Sequence, residues 1–581
     1  MTVLDAGGQY CHLIARKVRE LGIYAEVRPS NAPAEELRGR KALIISGGPN
    51  SVYDPGSPSV DARIFDTGAG VLGICYGLQL MAYLLGGRVQ SGRKGEYGLA
   101  TLEVSDPGEL LAGTEDRQQV WMSHRDLVEA VPDGFTAFAK TSTCAVAAMS
   151  SPGRRLYGVQ FHPEVIHTRR GKDILSNFLF RICGCVPDWD PAHRLTQLEQ
   201  EIQAAVGERS VFFFVSGGVD STVAYLLCLR ALGAERVRGV YVDTGLMREG
   251  ETSAVEEMFS RLGAGTFSVE HAQDRFLNAL EGVVEPERKR MIIGAEFLRV
   301  QESVAATWQL LDGHWVLGQG TIYPDTIESG GTQQAATIKT HHNRVEGVER
   351  LIEEGRIVEP LHSFYKDEVR QIGRELGAPA DWLERHPFPG PGLAIRCLCS
   401  EADYELQTVP EGWILPVHSV GVQGDSRSYA PVLAVARQAD EEVKAEATEL
   451  VNRIPGINRV LARIASMAPV GSMKVRTSAM CGERLGRLRR ADAVVRQLSH
   501  SSGFDQRIWQ FPVVLIPVGT ADRPDSVVLR PVDSVDGMTA ESVLPPAELA
   551  NVMASELLEI PGVCGVFFDL TNKPPATIEW E

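Results

Sequence analysis

Gly73-Ile74-Cys75-Tyr76-Gly77-Leu78-Gln79 sets the reading of the first 185 residues. Residues 71–74 form an apolar strand, Cys75 follows between glycines, and residues 78–85 have helical spacing. Strand, tight glycine turn and helix make a nucleophile elbow, with Cys in place of the commoner Ser. The glycines permit the strained turn, and a helix N-terminus favours thiolate over thiol. Backbone N–H groups beside the elbow can hold an oxyanion. A base is supplied further along, in Gly158-Val159-Gln160-Phe161-His162-Pro163-Glu164. His162 can deprotonate Cys75, and Glu164 can hold the imidazole in the right tautomer. A lone cysteine in a strand-helix turn reads as structural; the elbow together with a strand-end His and Glu reads as catalytic.

Around this turn, residues 3–4, 42–46 and 156–161 read as further strands and residues 16–21 as helix. The pattern predicts an α/β module with a largely parallel sheet. The chain has 581 residues, which at roughly 150 per domain suggests about three or four domains. Its 44% hydrophobic and 23% charged content is globular and excludes disordered, collagen-like and coiled-coil classes. No apolar run nears the ~18 residues of a membrane span. Met1-Thr2-Val3-Leu4-Asp5 opens on a strand with no basic leader. The ten cysteines are scattered; Cys183/Cys185 and Cys397/Cys399 have C-x-C spacing, but nothing nearby completes a zinc set. These features predict a reduced, cytoplasmic chain. With 58 Lys and Arg against 75 Asp and Glu, the net charge is −17. That argues against nucleic acid or an anionic membrane as partner. Small anionic ligands then require a few local cations.

Residues 194–206 read as a linker helix and 211–215 as a buried strand. The strand runs into Val215-Ser216-Gly217-Gly218-Val219-Asp220-Ser221, and an apolar helix covers 222–232. Strand, glycine turn and helix N-terminus cradle an anion. Ser216 and Ser221 offer hydroxyls, and Asp220 can hold Mg²⁺ against phosphates. The Walker pattern G-x-x-x-x-G-K-S/T is absent. The next strand, 237–242, ends at Asp243, at the sheet edge where open α/β folds bind nucleotides. Further cations and loops follow: Arg288-Lys289-Arg290 at a helix start, Gly318-Gln319-Gly320-Thr321-Ile322-Tyr323-Pro324-Asp325, Ile338-Lys339-Thr340-His341-His342-Asn343, Lys366-Asp367-Glu368-Val369-Arg370, and the rigid His386-Pro387-Phe388-Pro389-Gly390-Pro391-Gly392. The paired histidines suit phosphate or nucleotide contact better than metal.

Beyond residue 393 the sequence echoes itself. Leu415-Pro416-Val417 matches Ile516-Pro517-Val518, and Val432-Leu433 matches Val528-Leu529. Asn452-Arg453-Ile454-Pro455-Gly456-Ile457 matches Leu558-Glu559-Ile560-Pro561-Gly562-Val563, each before an apolar strand. Two α+β copies are predicted.

The Cys75 elbow, Ser46-Gly47-Gly48-Pro49 and the H-P-E segment resemble the class I glutamine amidotransferases. That resemblance implies glutamine hydrolysis through a γ-glutamyl thioester, with the N–H groups of Gly48 and Tyr76 serving the oxyanion. Met122-Ser123-His124 resembles a glutamine-pocket segment, with Arg125 where glycine is usual. The S-G-G-V-D-S loop resembles the ATP pyrophosphatases, which adenylate a substrate oxygen and release pyrophosphate. The two modules in this order, the loops above and the tail Lys573-Pro574-Pro575-Ala576-Thr577-Ile578-Glu579-Trp580-Glu581 resemble the glutamine-hydrolysing GMP synthases, in their longer eukaryote-like form. The resemblance implies four segments: an amidotransferase over 1–187, a Rossmann-like synthetase over 188–395, and C-terminal α+β copies over 396–480 and 481–581. It implies amination of xanthosine 5′-monophosphate (XMP) to GMP with ATP·Mg²⁺ and glutamine, through an adenyl-XMP intermediate. Residues 215–221, Asp243 and Lys366 would bind ATP, and Asp220 the metal. Arg290, Asp425, Gln510, Lys573 and Glu579 would bind XMP. Ammonia in water at neutral pH is mostly ammonium, so the two sites should be joined by closure or a shielded path. Short members of the family dimerise through one C-terminal copy; two copies in one chain predict an internal pseudo-dimer in which a monomer suffices, with the homodimer as alternative. Rival readings fare worse. NAD synthetase and asparagine synthetase carry other glutaminase modules, and Met1-Thr2 lacks the cysteine the latter needs. A tRNA-thiolating enzyme would need more cysteines and a basic surface. A binding protein with degenerate sites would not keep both motifs.

Overall fold

The computed structural model describes residues 1–8, 10–91, 96–191, 194–264, 266–310, 312–323, 325, 351, 354–423, 426–534 and 539–581, with backbone alone at 422, 423, 426–428 and 452. Asp425, Lys339 and the rest of segment 338–343 therefore lie outside the described residues. The chain forms two compact units, Met1–His193 and Arg194–Glu581. The boundary falls a few residues beyond the predicted 187/188.

The first unit is built on nine strands: β1 (Thr2–Asp5), β2 (Glu26–Pro29), β3 (Ala42–Ile45), β4 (Gly70–Ile74), β5 (Glu96–Val104), β6 (Arg117–His124), β7 (Thr136–Lys140), β8 (Ala148–Ser151) and β9 (Leu156–Val159). Their order is β2-β1-β3-β4-β9-β8-β7-β5-β6. The first five run parallel, as expected. The last four are an antiparallel extension that apolar periodicity does not distinguish from parallel strands. β3 and β4 are buried along their whole length, as parallel strands covered on both faces must be. Ile74 pairs with Val159, so adjacent parallel strands end side by side. Cys75 leaves one of those ends and His162 the other.

The second unit opens with a parallel sheet of β10 (Ser210–Val215), β11 (Val237–Asp243), β12 (Phe267–His271), β13 (Trp315–Gly318) and β14 (Ile357–Val358) in the order β12-β11-β10-β13-β14. β10 is central, and the helix Val219–Leu232 starts directly after its loop. A second sheet holds β15 (Gln407–Val409), β16 (Gly412–Gln423), β17 (Ser426–Gln438), β18 (Arg459–Ser466), β19 (Val513–Ile516), β20 (Asp525–Leu529) and β21 (Val563–Asp569), ordered β15-β16-β17-β18-β21-β20-β19. The repeat is visible in its topology. Each copy has an antiparallel pair (β16/β17, β19/β20), a helix (Glu441–Arg453, Ala547–Leu558), and a third strand parallel to the second. β18 and β21 join the copies antiparallel, with Leu461 opposite Asp569, giving a pseudo-two-fold order across one continuous sheet. One apolar core runs through the synthetase and both copies, from Val240, Phe276 and Val300 to Leu433, Val460 and Val566. Among the described residues no helix is long and apolar enough to cross a membrane.

Candidate active sites

Cys75 sits at φ 52°, ψ −106°, a left-handed backbone that costs a non-glycine residue energy and persists only where packing enforces it. The packing here depends on glycine. A methyl group on Gly73 would come within 2.5 Å of the Gly77 carbonyl oxygen, and one on Gly77 would collide with the Ile45 carbonyl. The turn can thus fold tightly enough to lift Cys75 over the sheet edge. His162 is 4% exposed, and its main chain is pinned by an N–H bond to Trp121 O (3.0 Å) and by Thr168 Oγ1 donating to its carbonyl (2.6 Å). Its Nδ1 lies 2.7 Å from Glu164 Oε1, and Cys75, whose thiol donates to the Ser123 carbonyl at 3.5 Å, is close enough to be felt at the ring. Burial pushes the imidazole down, but the Glu164 carboxylate and the Cys75 contact outweigh it and hold His162 up to about 10. The three predicted residues are therefore gathered at one place, with the imidazole held by the carboxylate and beside the cysteine.

A methyl group on Gly47 would meet His162 Cε1 at 3.0 Å and Cys75 Cβ at 3.6 Å, so this glycine keeps the space where a carboxamide can reach the sulfur. Gly48 lies against the Ala6 carbonyl and the Tyr76 ring. Ser46 Oγ accepts from Ala6 N at 2.9 Å and donates to Gly47 O at 3.0 Å, fixing this turn. Tyr76 opens the helix Tyr76–Leu84, whose first N–H groups have no acceptor within the helix. Gly48 and Tyr76, the two residues expected to supply the oxyanion donors, thus lie against each other beside Cys75. Tyr10, edge-on to His162 at 5.1 Å, and Gln79, which donates to Asp126 O at 2.7 Å, also build the site. Neither carries a sequence signal beyond its neighbourhood. Arg125 is exposed and does not adopt positive φ, so the glycine usual in relatives is not required by this backbone.

In the second unit Ser216 Oγ and Ser221 Oγ lie 2.9 Å apart across the loop, and Gly218 N donates to Ser216 Oγ at 3.3 Å. Gly217 takes φ +73°, which turns the loop back over the start of the helix Val219–Leu232. Val215 ends β10 and Val219 begins that helix, so both frame the cradle. Lys366 Nζ donates to Asp220 Oδ2 at 3.3 Å, which puts the expected pyrophosphate cation at the loop. Asp220 Oδ1 is buried with no hydrogen-bond partner among the described residues, and the charge of Asp325 is felt at the same group. An orphaned carboxylate oxygen beside a phosphate cradle fits a hard divalent ion, which usually takes one or two carboxylates plus substrate phosphates. Asp243 does end β11 at the sheet edge. Its Oδ1 accepts from Gly245 N (2.9 Å), and its Oδ2 from Thr252 Oγ1 (2.7 Å) and Gln273 Nε2 (2.9 Å). These donors fix the carboxylate at the sheet edge, and Oδ1, with one of them, keeps acceptor capacity for a ligand.

The C-terminal tail brings the other predicted residues together. Arg396 grips Glu579 through two bonds of 2.9 and 2.7 Å, and Gln510 Nε2 donates to the same carboxylate at 3.1 Å. Burial pushes Glu579 up, but Arg396 outweighs it and keeps the carboxyl below its usual range. Its side chain keeps 21% exposure, enough for one face to meet a ligand. Arg290 bonds the Glu581 carbonyl, and the buried Lys289 reaches the Glu581 carboxylate at 2.7 Å. Lys573 pairs with Ala540 through its main chain and is partly exposed. What holds the tail is a buried cluster invisible in the sequence. Arg459 and Arg530 each contact Asp569 Oδ2 at 2.7 Å, Trp580 Nε1 donates to it at 2.9 Å, and both guanidiniums also bond main-chain carbonyls of residues 577–579.

The model of the class-I glutamine amidotransferases matches residues 2–182, that of NAD synthase 192–318, and that of the GMP synthase C-terminal domain 497–580. The chain is 43% identical to a probable glutamine-hydrolyzing GMP synthase of Leptospira interrogans, with 100% of this chain and 99% of the relative covered. It is 41% identical to the glutamine-hydrolyzing GMP synthase of Syntrophomonas wolfei (100% and 99% covered) and 40% identical to that of Thermobifida fusca (100% and 97%). A cysteine triad, an adenylating loop and a GMP-synthase tail on one chain, matched end to end at this identity, make it a member of the glutamine-hydrolysing GMP synthase family.

Proposed function

We propose that this chain makes GMP from XMP, taking nitrogen from glutamine and energy from ATP. One observation carries the reading: a Cys75–His162–Glu164 array and a Ser216–Ser221 phosphate cradle stand on a single chain whose tail presents an ionised Glu579. In the first unit the Cys75 sulfur attacks the carboxamide carbon of glutamine. The N–H groups of Gly48 and Tyr76 take the oxyanion, and His162 gives its proton to the departing ammonia. His162 then removes a proton from the water that hydrolyses the thioester to glutamate. In the second unit the carbon-2 oxygen of XMP attacks the α-phosphorus of ATP, while Ser216, Gly218, Ser221 and Lys366 hold the departing pyrophosphate. Ammonia then replaces AMP at carbon 2. Mg²⁺, when bound with ATP, neutralises phosphate charge, and Asp220 is the residue that would hold it. Gln510, Glu579, Lys573 and Arg290 would seat XMP, with Asp425 as a further contact. Asp243, at the end of β11, would join the ATP contacts.

The pseudo-two-fold β18/β21 junction supports a working monomer, and the cysteine usage supports the cytoplasm. The test is incubation with ATP, XMP and glutamine, following GMP, AMP and pyrophosphate. Cys75→Ala should abolish synthesis from glutamine and keep synthesis from ammonia; loss of both would contradict the division of labour.

A further inference from the structure

Cys397 and Cys399 take no part in either reaction, yet their surroundings are not those of inert thiols. Cys397 is fully buried and bridges to Leu515, while Cys399 is partly exposed and lines a cavity of about 470 Å³ together with Glu285, His418, Tyr429 and Glu581. The Cys399 thiol donates to the Cys397 main-chain carbonyl at 3.5 Å, and the two cysteines stand two residues apart on one segment. Arg484, itself anchored on Asp525 at 2.7 Å, donates from Nη1 to Cys399 Sγ at 3.4 Å. Lys289 stands close enough for its charge to be felt at Cys399. A thiol with cations on one side and open volume on the other is the arrangement in which cysteines react, and a second thiol two residues away is what resolves the product.

We propose that Cys399 is a peroxide-reactive thiol with Cys397 as its resolving partner, and that their oxidation disables the synthetase half by disturbing the C-terminal tail. The neighbouring Cys397 thiol acts with Lys289 and Arg484 against the cost of burial and holds Cys399 below the ordinary thiol range, which favours the thiolate. In the first step the Cys399 sulfur attacks a hydroperoxide. The O–O bond breaks, an S–O bond forms, and the leaving alkoxide or hydroxide takes a proton; sulfur loses two electrons and becomes sulfenic acid. In the second step Cys397 gives up its proton and attacks the Cys399 sulfur. The S–S bond forms and the hydroxyl leaves as water. The link to the tail is Lys289, whose ammonium bonds both the Cys397 carbonyl (2.9 Å) and the Glu581 carboxylate (2.7 Å). A disulfide that shifts Cys397 pulls on the same lysine. This consequence rests on the reading of the tail as the XMP seat; the thiol chemistry does not.

The experiment uses the full chain carrying Cys75→Ala, which removes the glutaminase thiol and leaves ammonia-dependent synthesis as readout. On titration with hydrogen peroxide, the peptide holding Cys397 and Cys399 should become two hydrogens lighter before the exposed Cys481 is oxidised. GMP formation should fall in step and return on adding dithiothreitol. Adding Cys399→Ser should preserve activity in peroxide, and Cys397→Ser should stop at a sulfenic acid that takes up dimedone. A pair that stays reduced while Cys481 is oxidised overturns the site. A pair that oxidises without loss of activity overturns the link to the tail and leaves the GMP synthase reading untouched.

Discussion

Replacing Glu164 by Gln keeps the shape of the side chain and removes its charge. The carboxylate lies 2.7 Å from His162 Nδ1 with neither group in contact with bulk water, since they are 1% and 4% exposed. A hydrogen bond to a charged group in such a place contributes about 1.5–3 kcal/mol. At 1.36 kcal/mol per decade, glutaminase turnover should fall by roughly 10- to 150-fold. Burial alone pushes His162 down, and the carboxylate leads the groups that reverse this to about 10, so the variant also lacks a ready proton for the departing ammonia at neutral pH. The stability consequence has a definite sign. A histidine whose folded-state pKa is raised from 6.5 to about 10 stabilises the fold fully below 6.5, and that contribution is lost as pH climbs towards 10. The advantage of wild type over Glu164→Gln in urea denaturation of the first unit should therefore be largest at pH 6 and shrink towards pH 10. Glutamate release is the assay, with ammonia-dependent GMP formation as control. Unchanged glutamate release, or equal loss of both activities, would refute the role given to the carboxylate.

Cys75→Gly and Cys75→Ala should both lack glutaminase activity, but glycine relieves left-handed strain of about 1–3 kcal/mol against a loss of about 1 kcal/mol from a looser unfolded chain. Thermal unfolding should find Cys75→Gly the more stable; the reverse order would mean the turn is unstrained. Asp220→Asn should slow pyrophosphate release on the order of 100-fold and raise the Mg²⁺ concentration needed, with basal glutaminase unchanged; a normal Mg²⁺ titration would remove Asp220 from the metal site. Arg459→Met leaves Asp569 paired with Arg530 but strips a donor from the Val420, Thr577 and Glu579 carbonyls, and should destabilise the second unit by about 1–3 kcal/mol. Its KM for XMP should rise, and Arg459→Lys should recover part of it; a KM for XMP equal to wild type would detach the cluster from the tail.

The amidotransferase triad was legible because its signal is local. Two glycines around Cys75 and a strand-end His-Pro-Glu can be read without knowing what lies beside them, and the phosphate loop and the C-terminal echo are equally compact. Asp243 marks the limit. Its place at a strand end is sequence information, but the fate of its two oxygens depends on Thr252 and Gln273, contributed by other elements. Arg125 is a second case: a departure from a family pattern looks consequential until the backbone shows no need for glycine.

Periodicity, turn chemistry and motif spacing are properties of contiguous residues, and by themselves they determined the α/β class, the thiol elbow with its base, the phosphate cradle and the duplication, while the two reactions came with the family resemblance. Which strands run antiparallel, how β18 meets β21, and why the tail stays in place are contacts between residues distant in the chain. Arg459, Arg530, Asp569 and Trp580 are unremarkable one by one. Only folding brings their charges into one water-free cluster, where an unpaired charge is too costly to persist and the network closes on the tail.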